Sequence, residues 1–356
     1  MMLLGSGFRS SVLGHIPSRL RRSSRQWCSR VLVLLFCWLS LMPLAAMGDG
    51  NRVRVGLLKF GTVNWEMDVI RTHGLADREG IELEVRPLAS VNAINVALQA
   101  GAVDIIVNDW IWTSRQRAVD RDYTFVPYSQ AVGSLMVHPD SGVNKLGDLR
   151  DKRLGIAGGP VDKSWLLLQV YARKTLDAEL SDLVEPVFAA PPLLNQLMLD
   201  GDLSAALNFW HYGARLQAAG MEPLLGVADI LPVLGVDRPI PLLGWVFSAQ
   251  WAEKNPKAID GFLRASRAAK QLLAESDEEW ERLRPLVKAE DEPTLHALRD
   301  GYRAGIPQCF GEPEVRAARQ VFEIMAQEGG KELVGSSNSL STGTFWEGYQ
   351  LGTCPQ

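Results

Sequence analysis

The chain has 356 residues, 47% of them apolar, which is enough for two domains with a sizeable core. It carries 37 basic and 41 acidic residues, a formal charge of −4. That acidic balance, with no basic tract in the body of the chain, argues against a nucleic-acid partner.

The first 48 residues stand apart. Arg9, Arg19, Arg21, Arg22, Arg25 and Arg30 make a basic region without an acid. An apolar run over 31–42 follows, then Pro43 and Ala45-Ala46-Met47-Gly48. This is the three-part layout of a secretory signal peptide, with cleavage expected after Gly48. The apolar run is too short for an ordinary membrane-spanning helix. Arg21-Arg22 is a twin-arginine pair, but the residues after it fit that signal poorly, so the general export route is expected. Cys37 follows Leu34-Leu35-Phe36, unlike a lipoprotein acceptor, so a released periplasmic protein is expected. Losing the leader removes six arginines and no acid, leaving 31 basic residues (37 less 6) against 41 acidic, a charge of −10. Cys28 and Cys37 leave with it. Cys309 and Cys354 remain, and in an exported chain they are expected to pair.

The body opens with a strand over 52–58, a glycine turn and a helix over 65–76. A strand over 81–85 follows, alternating with period two. Ser90 or Asn92 caps a helix over 93–100, and a third strand runs over 103–107. This β-α-β-α-β run fits a parallel sheet. A helix over 113–120 and strands over 123–128 and 133–138 come next. The pattern then restarts: a short helix or turn at 145–149, a strand over 153–157, a second glycine turn, a helix over 165–175 and a strand over 183–188. A helix over 193–199 and a strand over 203–207 complete it. A strand over 242–248 returns to the first lobe. Helices over 256–274, 277–288, 293–304 and 313–327 follow, and residues 344–349 close the chain.

One stretch occurs twice. Residues 94–110 read INVALQAGAVDIIVNDW and residues 194–210 read LNQLMLDGDLSAALNFW. Asn95/Asn195, Gly101/Gly201, Asn108/Asn208 and Trp110/Trp210 coincide without a gap. Glycine ends each helix, a buried strand follows, and Asn and Trp fall at its carboxyl end, where open α/β sheets place ligands. The repeat predicts two α/β lobes that each offer a strand end to a shared cleft.

Several segments carry a family likeness. Leu98-Gln99-Ala100-Gly101-Ala102-Val103-Asp104 is one helix–strand joint. Residues Val143 to Ile156, VNKLGDLRDKRLGI, enter the second lobe, with Asp151 in place of the usual Gly. Asn255-Pro256 opens the helix NPKAIDGFL. In order and spacing these resemble the nitrate/sulfonate/taurine/bicarbonate group of periplasmic substrate-binding proteins of ABC transporters, which shares its domain with thiamine-pyrimidine-precursor binders. The likeness covers nearly all of 52–350. It implies a two-lobed periplasmic binding protein fold of type II, with two crossover hinges and a helical C-terminal part. The expected division is 1–48 leader, 49–137 first part of lobe one, 138–243 lobe two, and 244–356 a return to lobe one. The implied role is capture of a small organic solute or anion between the lobes by a monomer, for an ABC permease and ATPase. Same-fold alternatives are an enzyme acting on a pyrimidine precursor and a protein that presents ligand to a sensor.

Strand ends supply the expected ligand-binding residues. Trp65, Trp110 and Trp210 offer flat apolar faces, or else pack the lobes. Asn64, Asn108 and Asn208 offer donors and acceptors, or else hold turns. Ser90 and Asn92 lie in the loop after the second strand. Asp109 either binds an amine or caps the next helix. Asp162-Lys163-Ser164 at a helix start is the anion candidate, with Lys163 adding its charge. His211 either bonds ligand or lies on a helix surface. No G-x-S-x-G, H-E-x-x-H, P-loop or dinucleotide turn is present, so no catalytic residue, metal or cofactor is expected.

Overall fold

The computed structural model describes residues 51–352. The leader, its cleavage site and Cys354 lie outside them. Two five-stranded sheets form, one per lobe. The first contains β1 (Arg52–Leu58), β2 (Glu82–Leu88), β3 (Ile105–Asp109), β4 (Tyr123–Ser129) and β10 (Leu243–Ser248), in the order β2-β1-β3-β10-β4. The second contains β5 (Ser134–Val137), β6 (Arg153–Ala157), β7 (Glu185–Ala189), β8 (Ala205–Asn208) and β9 (Glu222–Gly226), in the order β7-β6-β8-β5-β9. In each sheet four strands run in one direction, and the fourth in the order lies antiparallel to both neighbours. That fourth strand, β10 or β5, is the one the chain lays down just after crossing between lobes.

This placement of β5 corrects one boundary. Residues 134–137, given to the first lobe by the sequence, pair with β8 and β9 in the second sheet. The first crossover is therefore 130–133. The alternation of Ser134-Leu135-Met136-Val137 marks a strand but does not say which sheet receives it. The second crossover runs between α9 (Val227–Val233) and β10.

Helices cover the sheets. In the first lobe these are α1 (Val63–Thr72), α2 (Leu75–Arg78), α3 (Val91–Gln99) and α4 (Trp110–Arg117). In the second they are α5 (Lys163–Leu176), α6 (Leu180–Leu183), α7 (Pro191–Leu199), α8 (Trp210–Ala218) and α9. After β10 come α10 (Ala249–Lys254), α11 (Pro256–Glu275), α12 (Asp277–Val287), α13 (Glu292–Ala304) and α14 (Glu312–Val334). The repeated glycines do what their position requires. Gly101 and Gly201 stand just past α3 and α7 at φ +66° and +79°, a backbone that side chains resist. Helix α4 starts at Trp110 instead of 113, because Asp109 accepts the Trp112 N–H at 2.7 Å and caps it there.

The C-terminal helices do not belong to the first lobe alone. On one flank, Phe322 and Val321 of α14 share a core cluster with Trp110 of the first lobe and Leu166 of the second. Arg173 of α5 ion-pairs with Glu328 of α14. On the other flank α8 packs on α13. Its Ala214 joins the first-lobe core while its Leu216 joins the second. Arg215 donates to the last carbonyls of α12, Val287 at 2.5 Å and Lys288 at 2.9 Å. Residues 344–346 add a short parallel bridge beside β4, with Phe125 N–H on the Thr344 carbonyl at 2.8 Å. Cys309, between α13 and α14, is disulfide-bonded.

The first crossover is tight. A methyl group on Gly133 would stand 1.9 Å from the Asn208 carbonyl oxygen. Gly133→Ala must therefore push the crossover off β8, at a cost of about 2–4 kcal/mol. The expected result is a fall in Tm of at least about 5 °C. Gly159→Ala, with nothing within 4 Å of the added methyl, serves as the control and should leave Tm unchanged.

Candidate functional site

The two strand ends singled out by the repeat are built by one device. Asn108 donates to the Asn95 side chain at 2.7 Å, and its own oxygen accepts the Asp109 N–H at 2.8 Å. Asn208 donates to the Asn195 side chain at 2.9 Å and to the Pro191 carbonyl at 3.0 Å, and its oxygen accepts the Phe209 N–H at 2.8 Å. Both asparagines are buried. Their amides tie each helix to the strand that follows it and set the direction of the next residue.

From that scaffold the two copies diverge. In the first, Asp109 uses one oxygen as a cap and places the other 3.1 Å from Lys163 Nζ, across the gap between lobes. Lys163 opens α5, whose start is capped by Asp162: its Oδ1 accepts the Ser164 and Trp165 N–H groups at 3.0 and 3.2 Å. Burial works to lower the Lys163 ammonium, but the facing Asp109 carboxylate outweighs it and holds it above the ordinary lysine range. Burial also lifts the Asp162 carboxyl above its usual value, against the two N–H bonds. Lys163 and Ser164 line a cavity of about 60 Å³ at the hinge end of the gap, with Trp110, Gln130, Leu231 and Ile240 among its walls. Trp110 is 1% exposed, packs on Phe322 and Phe345, and its Nε1 has no hydrogen-bond partner.

In the second copy the tryptophan turns elsewhere. Trp210 meets Trp65 edge-on at 6.0 Å and Tyr302 at 6.4 Å. A methyl on Gly301 of α13 would touch its ring at 3.0 Å, so the bare glycine is what admits it. Trp65 itself is 5% exposed and packs on Trp280 and Tyr302. His211 lies between Trp210 and Tyr212, its Nδ1 buried without a partner. Burial pushes its imidazole down to about 4, helped by the Arg215 charge.

The remaining expected residues sit in first-lobe turns. Asn64 donates to the Leu58 and Gly61 carbonyls at 2.9 and 2.7 Å and so holds the turn after β1. Ser90 caps α3 through the Ala93 N–H at 3.1 Å. Asn92 is exposed in the first turn of that helix. The structure thus brings Asp109, Trp110, Lys163 and Ser164 together at the hinge end, and Trp65, Trp210 and His211 together at the α13 flank. Gln130, Tyr302 and Gly301 join these groups without having been expected. The four-residue spacing of Gly301 and Gly305, one helix face of bare backbone, was the available sign. Phe60 and Phe209, 78% and 39% exposed, stand in strand-end turns of the two lobes. Among the described residues no group of three acidic, histidine or cysteine side chains is placed to hold a metal ion.

A family model described as NMT1/THI5 like matches residues 71–279. The arginine-binding extracellular protein ArtP of Bacillus subtilis is 31% identical over 123 residues, 34% of this chain and 47% of ArtP, so the match spans about half of that relative. Among solved structures, the periplasmic aliphatic sulphonate binding protein SsuA of Escherichia coli superposes with a TM-score of 0.65 at 16% identity, over 83% of this chain and 98% of SsuA. The alkanesulfonate-binding SsuA of Xanthomonas axonopodis pv. citri, bound to MOPS, gives 0.63 at 15% identity, over 83% and 98%. These likenesses establish a type II periplasmic binding protein fold.

The buried His211 makes stability depend on pH. Its folded value is about 4 against an ordinary 6.5, so between these the unfolded chain binds a proton that the folded chain refuses. The contribution is fully present above pH 6.5 and is lost as pH falls towards 4, up to about 3 kcal/mol. Urea unfolding near neutrality and near the lower limit should show a smaller loss for His211→Gln than for the natural chain. Equal losses would remove His211 as the source.

Proposed function

The chain belongs to the NMT1/THI5-like family, and we propose that it is an extracytoplasmic solute-binding protein that captures a small organic solute or anion between its lobes and delivers it to the permease and ATPase of an ABC importer. The observation that carries this reading is the hinge-end cavity, where Trp110 Nε1 has no partner and Lys163 of the opposite lobe approaches. A buried donor left unpaired is costly, so it marks a place where an acceptor from outside belongs. The surrounding walls are apolar side chains, which suits a solute with one acidic or polar head and a compact body. Lys163 is already paired with Asp109, so a ligand oxygen competes with or joins that carboxylate, and contacts to both lobes shift the population towards closure. Export through the leader, with release into the periplasm as a monomer, completes the reading.

Native mass spectrometry of the exported protein should reveal a co-purified small molecule, and titration with it should saturate at one site. Trp110→Phe removes the N–H while keeping the six-membered ring, and should raise Kd by about tenfold, with a fall in Tm from the space the smaller ring leaves. Binding that is indifferent to this change would exclude Trp110 as a ligand contact.

The oxidised partner of Cys309 is proposed to be Cys354. Alkylation of the exported chain under denaturing conditions should then add no label before reduction and two after it. Labelling of either cysteine without reductant would refute the pairing.

A further inference from the structure

A second cavity, of about 320 Å³, lies away from the gap between the lobes. Every residue around it belongs to β4, β10, α11 or the segments after α13, none to the second lobe. One face of α11 forms its floor, with Arg267, Lys270 and Glu275 in successive turns. The buried Trp245 of β10 lies behind it, and Ile306, Gln308, Tyr349 and Leu351 close the outer side.

The charges in this cavity do not cancel evenly. Lys270 reaches the fully buried Glu66, whose oxygens also accept the Ser266 hydroxyl at 2.5 Å and the Tyr302 hydroxyl at 3.1 Å. The same ammonium sits 3.5 Å over the Tyr128 ring. Glu66 and Lys270 are thereby spent on each other inside the protein. Arg267, one turn earlier, has no carboxylate partner among the described residues; its neighbour is the Tyr349 hydroxyl. Glu275 stands two turns further on, about 12 Å along the helix, and accepts the Gln271 amide at 3.1 Å. The Arg267 end therefore offers a guanidinium and a hydroxyl beside the half-buried apolar side chains Ile306 and Leu351.

We propose that this cavity is a second ligand site, separate from the inter-lobe cleft, for a small organic anion, a carboxylate or sulfonate on a flat or apolar body. The head group meets Arg267 and Tyr349, and the body lies against Ile306 and Leu351. Gln308, in the outer wall, precedes the disulfide-bonded Cys309.

The probe is 4-fluorobenzoate followed by fluorine NMR on the full exported chain, with benzenesulfonate as competitor. Saturable binding displaced by benzenesulfonate is expected. Arg267→Glu should weaken it by at least about tenfold, and Arg267→Gln by less, because a neutral side chain does not repel the head group. Trp110→Phe, in the other cavity, should leave it unchanged. Arg267 is exposed, so both variants keep the core intact, and an unchanged Tm checks this. No binding up to about 10 mM, a range that covers weak anion sites, would overturn the proposal. So would binding that survives Arg267→Glu, or binding that is lost with Trp110→Phe.

Discussion

The packing of one second-lobe tryptophan on a glycine face of the first lobe constrains the rest of the molecule. Trp210 reaches Trp65 and Tyr302 because Gly301 leaves α13 without a side chain there. Burying a ring of this size is worth about 1.5–3 kcal/mol or more. One helical turn on, Gly305 lets the first crossover lie against the same helix: a methyl there would come within 2.5 Å of Ala131. Gln130 donates its N–H to the Gly305 carbonyl at 2.9 Å. One helix face thus fixes both a lobe contact and a hinge. With α14 packed on both lobes at the opposite flank, the gap between the sheets is bounded on two sides by helices.

Two ion pairs, one buried and one half-buried, serve this arrangement differently. Glu66 and Lys270 sit inside the first lobe, where Ser266, Tyr302 and Tyr128 satisfy what the pair leaves over. Removing either partner would leave a charge in the core, the situation in which such pairs cost most. Asp109 and Lys163 belong to different lobes, and one oxygen of Asp109 is already committed to its own helix. That pair depends on the lobes being together. Any group that supplies Lys163 with another oxygen would alter the balance between them, so of the two pairs the cross-lobe one is open to competition.

Much of the fold is legible in the sequence because its signals are local. Glycine past α3 and α7, apolar strands and capping serines and aspartates lie within a few residues of what they determine. The strand over 153–157 and the start of α11 at Pro256 fall where the pattern puts them. Residues 209–241 are not legible in this way. They hold α8, β9 and α9, yet the short α8 divides its apolar side chains between two lobes, and β9 carries Pro223 at an irregular pairing. Neither shows a clean period. The site follows the same rule. The sequence picks out Asp109, Trp110 and Lys163 as candidates, since each sits at a strand end or helix start. It does not show that Asp109 meets Lys163, or that Trp210 faces Gly301, because those contacts join residues far apart in the chain.

The repeated Asn–Gly scaffold explains why two similar strand ends come to different uses. In both copies the asparagine pair consumes its own hydrogen bonds and aims the next two residues. The residue at the middle position then decides. Asp109 caps α4 and engages Lys163, which leaves Trp110 buried at the hinge with its N–H unpaired. Phe209 makes no side-chain cap and stands partly exposed, and Trp210 turns away onto α13. An acid at that position draws the second lobe's ammonium to the hinge-end cavity. An aromatic there gives up the cap and lets the indole serve as a clasp. One scaffold thereby yields an end that pairs across the lobes through Asp109 and Lys163 and an end that packs through Trp210 on α13.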